Sequence, residues 1–94
     1  MLNHFVFVGK VKTVNSFPLL VLLSLETSEG EVFNFNITAL KDTLDISLLT
    51  EGTVVAVKGK LAGGLPVELV VERLSIFSMN ENLNEVNEDE RKFI

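Results

Sequence analysis

Two glycines set inside β-branched apolar runs constrain this chain more than any other feature. Gly9 falls in Leu2-Asn3-His4-Phe5-Val6-Phe7-Val8-Gly9-Lys10-Val11, and Gly59 in Thr53-Val54-Val55-Ala56-Val57-Lys58-Gly59-Lys60-Leu61. Such runs suit a pleated, half-buried surface. A glycine within one marks a bulge or sharp bend, where a side chain would obstruct the approach of other backbone. Strands bent in this way close small barrels.

The intervening segments fill in the remaining elements. The first strand is expected from about Asn3 to Thr13, with Phe5, Phe7, Gly9 and Val11 on one face. His4, Val6, Val8, Lys10 and Lys12 occupy the other face. Asn15-Ser16 reads as a turn and Pro18 as the start of a second strand, about Leu19 to Thr27. Leu19, Val21, Leu23 and Leu25 line one side of that strand, and Leu20 and Leu22 the other. A strand apolar on both sides needs a second cover, which another subunit would supply.

Ser28-Glu29-Gly30 reads as a hairpin turn. Val32 to Thr38 then alternates, placing Phe33, Phe35 and Ile37 inward and Asn34, Asn36 and Thr38 outward. Leu40, Leu44 and Leu48 predict a helix over residues 39–49, with Gly52 as its stop. A fourth strand follows over Thr53–Leu61, and a short Ala62-Gly63-Gly64-Leu65 link leads to a fifth, about Val67 to Phe77. These elements predict an all-β, five-stranded Greek-key barrel of OB-fold type, with one helix between strands three and four. Residues 1–77 form the barrel domain in this reading, and 78–94 form an acidic tail rich in asparagine and glutamate.

Catalysis finds little to build on. The chain has no cysteine and one histidine, His4, with no acid identifiable to orient it as a general base. Asp42 and Asp45 read as a solvated face, and Glu68 and Glu72 as ordinary strand alternation or a bulge. No phosphate-binding glycine loop is present. The reading is therefore non-enzymatic, with no cofactor and no metal. The longest apolar run, Phe17 to Leu23, is far short of the ~20 residues that span a bilayer. The N-terminus lacks the marks of a signal peptide, so a cytoplasmic location is expected.

The formal charge of -5 argues against a polyanionic partner until its distribution is considered. The tail carries -3 of it, leaving -2 on the body, where local patches decide what binds. Lys10 and Lys12 share a face of strand one, and Lys58 and Lys60 share a face of strand four. Those strands neighbour each other in an OB-fold, so the four ammonium groups are expected to converge on a phosphate-binding patch.

Several segments together resemble bacterial single-stranded DNA-binding proteins over roughly residues 1–77. They are Met1-Leu2-Asn3 with Val6, Val8, Gly9, Lys10 and Val11; Leu40 through Leu49; Glu51-Gly52-Thr53-Val54; Lys58-Gly59-Lys60-Leu61; and Glu68-Leu69-Val70-Val71-Glu72-Arg73-Leu74. The resemblance implies non-catalytic binding of single-stranded DNA in replication or repair. It also implies a homo-oligomer, a dimer or tetramer, commonly joined through strand one. The acidic tail ending in Phe93-Ile94 echoes that family's partner-recruiting tip and implies contacts with replication proteins, although Arg91-Lys92 interrupts it.

The chain departs from the family in its aromatics, with no tryptophan, no tyrosine and a short link between strands four and five. Phe17 is the phenylalanine most expected at the surface as a stacking platform, and Phe77 is ambiguous between surface and core. The candidate nucleic-acid-binding residues are thus Lys10, Lys12, Phe17, Asn34, Asn36, Lys58 and Lys60. The competing reading is an OB-fold protein-interaction subunit, reminiscent of replication-restart accessory proteins, whose apolar strand-two face meets a protein.

Overall fold

The computed structural model describes residues 3–78; the acidic tail beyond Ser78, with its expected partner-docking role, lies outside the described residues. Five strands make up the chain: β1 (His4–Phe17), β2 (Leu20–Glu26), β3 (Val32–Asn36), β4 (Val54–Ala62) and β5 (Glu68–Ser78). They close into a barrel in the order β1-β2-β3-β5-β4, an arrangement consistent with the OB-fold.

Closure depends on β1 serving two neighbours. From His4 to Lys10 it pairs antiparallel with β4, and from Lys10 to Phe17 with β2. The change of partner falls beside Gly9, whose missing Cβ would lie 2.9 Å from Phe7 and 3.0 Å from the Glu26 carbonyl. β1 then bulges at Lys12, between Val11 and Thr13. Gly59 is the tighter constraint. A Cβ there would overlap the Val70 carbonyl oxygen and lie 2.8 Å from Val71 Cα, at the bulge where β4 and β5 shift register. Only glycine lets the two backbones come so close.

Away from the bulges the strands put alternate residues inside, and the core is built from Val11, Val21, Leu23, Leu25, Phe35, Ile37, Leu49, Val55, Val57 and Val71. Phe5 and Phe7 reach Phe35 across the barrel, with ring centroids 5.6 and 5.0 Å apart. These contacts are in the favourable range for aromatic pairs.

Three sequence expectations need correction. First, the helix over residues 39–49 does not form; the segment carries two 3-10 turns, Thr38–Leu40 and Ile46–Leu48. Asp45 explains the break. Its extended backbone stops the helical ladder, and its carboxylate accepts hydrogen bonds from the Ser47 amide (3.1 Å) and hydroxyl (2.6 Å). Aspartate, threonine and serine favour such local bonds over a helix interior. The leucines still serve as a plug, but Leu49 is the buried one and Leu48 faces solvent.

Second, β1 runs on through Asn15-Ser16, and the turn falls at Pro18-Leu19, flanked by the pair Phe17↔Leu20. Proline supplies the fixed φ that a turn uses, more readily than it starts a paired strand. Third, Phe33 is inward but remains 40% exposed, because β3 meets β5 at one pair only, Asn36↔Val70.

Candidate nucleic-acid interface

Two outward surfaces emerge from the registers. The first covers the C-terminal half of β1 with β2 and β3. Its cross-strand rows are Thr13–Ser24–Asn34 and Asn15–Leu22–Asn36, with Phe17 facing Leu20 at the end. Phe17 is 52% exposed, as the sequence leads one to expect of a stacking platform. Ser24 donates a 2.6 Å hydrogen bond to the Asn34 carbonyl oxygen, which leaves the amide nitrogen of exposed Asn34 facing solvent. Leu20 and Leu22 are already half covered within the chain.

Asn36 plays a different part from Asn34. Its amide nitrogen donates to the Glu68 carboxylate, and its oxygen accepts from the Thr38 amide at 2.8 Å. Both ends of the side chain thus tie β3 to β5 and to the following turn. A carboxylate at this spot also repels phosphate.

The second surface covers the N-terminal half of β1 with β4 and β5. Here Lys58 stands between Val6 on β1 and Arg73 on β5, and Lys60 between His4 and Val70. Arg73 is absent from the sequence-derived set, yet it stands directly opposite Lys58. The alternation Arg73, Ser75 against Lys58, Ala56 carries the signal, once the bulge at Glu72 is placed. Lys60 Nζ lies 3.9 Å from Glu72, the one ion pair among the described residues.

The four lysines do not converge. Lys10 pairs with Val54, and Lys58 lies four residues farther along β4, roughly 13 Å away at the usual strand rise. An antiparallel register sends the C-terminal end of β4 toward the N-terminus of β1, so the two lysine pairs sit at opposite ends. Lys58 and Lys60 gather with Arg73, whereas Lys10 stands apart opposite Glu26 and Lys12 occupies the bulge beyond it.

The two surfaces are nonetheless joined. Residue pairing runs Asn15↔Leu22↔Asn36↔Val70↔Lys60↔His4 around the barrel, carrying the polar surface over β2 and β3 on to the Lys60 cluster. Beneath the seam, Phe5, Val6, Phe7, Phe33, Phe35 and Leu69 line an apolar cleft of about 210 Å³. Among the described residues no cluster of His, Asp and Glu is arranged to hold a metal ion.

No protein-family model matches the chain, and no curated protein sequence matches it. Solved structures do match its shape. OBody NL8, solved bound to hen egg-white lysozyme, aligns with a TM-score of 0.65 and 19% identity over 80% of this chain and 93% of its own. The S. pombe Stn1–Ten1 complex aligns at 0.60 and 20% identity, over 96% of this chain and 65% of the matched one. The dimeric N-terminal domain of PriB from Thermoanaerobacter tencongensis aligns at 0.50 and 19% identity, over 81% and 97%. At such identities the likeness is one of fold.

Proposed function

We propose that this chain binds single-stranded nucleic acid, DNA in the first instance, without catalysis and in the service of replication or repair. One observation carries the reading. Lys58 faces Arg73 directly across β4 and β5 with Lys60 alongside, on a surface that register joins to the Phe17–Asn34 face. Like charges directly opposite each other weaken a sheet, and a bound phosphate chain relieves that repulsion. Phe17 adds a base-stacking platform, and the Asn34 amide adds a donor. Strands two and three with their flanking loops form the ligand surface generally used by this barrel type. The test is a salt titration of binding to labelled oligo(dT). Affinity that does not fall as salt rises would overturn the reading.

The proposal includes self-association. Between His4 and Val8, β1 is paired on its β4 side only, and Val6 is 70% exposed on that stretch. An unpaired apolar edge is a template for a further strand. A second copy presenting the same edge would bury Val6 and Val8 in a two-fold contact. The second reading, a protein-interaction subunit that meets its partner through the apolar strand-two face, draws on the PriB and Stn1–Ten1 likenesses, a dimer and a complex by their descriptions. Binding of oligo(dT) separates the two.

A further inference from the structure

β5 loses register with β4 at two places. At the second, opposite the step from Val54 to Val55, the extra residue is Phe77. A bulge re-aims the side chain it carries, and such features gather beside functional sites. Ile76 and Leu74 lean on the core, whereas Phe77 is turned outward and 63% exposed. Phe77 contributes little to the packing of the barrel.

Its surroundings suit a phosphate chain. Pairing runs Lys10↔Val54↔Ser78, so Lys10 lies two strands from the bulge, roughly 10 Å at the usual strand spacing. Lys10 is exposed and forms no ion pair among the described residues, although Glu26 stands opposite it on the β2 side. From this end the surface passes over Ala56 and Ser75 to Lys58, Arg73 and Lys60 at the other. Three acids border the route: Glu26 opposite Lys10, Glu72 already paired with Lys60, and Glu68, whose carboxylate the Asn36 amide engages.

We propose that Phe77 and Lys10 form a second nucleic-acid subsite, in which Phe77 stacks a base and Lys10 pairs with a neighbouring phosphate. This inference rests on the single-strand reading above and extends it. A strand held at Phe17 follows the Asn15–Lys60 row, crosses the Lys58–Arg73 cluster and ends on Phe77. Lys10, which fails to join the Lys58 patch, thereby acquires a role of its own.

The chain has no tryptophan, so one indole reports one site. Phe17→Trp and Phe77→Trp variants are titrated with two lengths of oligo(dT). One is about 8 nucleotides, and the other about 30, roughly twice the largest footprint of a single OB-fold. The expected result is quenching of the Phe17→Trp indole by both lengths and of the Phe77→Trp indole by the long one. Phe77→Ala should weaken binding of the long oligomer about tenfold, the value of one stacked base, and leave the short one unchanged. Lys10→Gln should flatten the salt slope for the long oligomer by ~0.7. Quenching in Phe17→Trp with none in Phe77→Trp would overturn the subsite and leave the single-strand reading standing. Failure of the unsubstituted protein to bind either length would overturn both.

Discussion

Charge neutralisation at the Lys58 cluster offers the sharpest quantitative test of single-strand binding. The cluster holds three cations, Lys58, Lys60 and Arg73, and one acid, Glu72, 3.9 Å from Lys60. Each phosphate contact on a single strand contributes about 0.7 to the slope of log affinity against log salt, so the three together contribute about 2.1. Between about 50 and about 200 mM salt, that slope weakens binding about 20-fold, and losing one contact recovers about 2.6-fold of it. Lys58→Gln and Arg73→Gln should each flatten the slope by ~0.7. Lys60 differs because its carboxylate partner competes with phosphate. Opposite charges at that separation interact at about 1 kcal/mol in water, and exposed pairs contribute about 0–1 kcal/mol. Glu72→Gln should therefore tighten binding by up to about fivefold at low salt. Lys60→Gln, which leaves Glu72 bare, should weaken binding more than Lys58→Gln. The pair of substitutions together should recover part of that loss, as a double-mutant cycle measures. Fluorescence anisotropy of labelled oligo(dT) across the salt range supplies every number. Unchanged slopes in all three cation variants, or weaker binding by Glu72→Gln, would refute the argument.

Gly59→Ala should destabilise the barrel by about 3 kcal/mol or more, since the added methyl meets backbone that cannot step aside. Thermal unfolding followed by circular dichroism should show a fall of roughly 12–24 °C, and an unchanged midpoint would contradict the close approach. Under the proposed self-association, the unsubstituted protein should sediment as an oligomer and Val6→Glu as a monomer with its β spectrum preserved; an oligomer that survives would place the interface elsewhere. Truncation after Ser78 removes a net charge of -3 and should raise oligo(dT) affinity, most at low salt where repulsion is least screened. Weaker binding after truncation would make the tail a participant in the complex.

The barrel was legible because its strands alternate strongly and because Gly9 and Gly59 sit where backbone must bend or nearly touch. Phe33, Phe35, Asn34 and Asn36 took the faces their spacing implies. The helix was misleading, since leucines four apart suit a looped plug as well as a helix when Asp45 and Ser47 prefer to bond locally. The candidate site was legible in parts. Phe17 shows its exposure through its place beside a turn, and Lys58 and Lys60 share a face by simple alternation. Convergence of all four lysines required the register, which alternation alone does not supply. Arg73 and Phe77 were hidden for a related reason: both lie at or beyond bulges in β5, and a bulge reverses the parity on which face assignment depends.

The single residue pair closing β3 on β5 makes the barrel a cylinder with a slit. Asn36 is the stitch, bonded to Glu68 across the gap, and the phenylalanine cleft lies directly behind it. Opening there breaks few hydrogen bonds, so backbone amides of Val32–Asn34 should exchange with solvent well before those of β4. A nucleic-acid strand following the row from Asn15 to Lys60 crosses the slit from one lip to the other. Its occupancy would act as a suture, slowing exchange in β3 and lending the domain a resistance to unfolding that the free protein lacks.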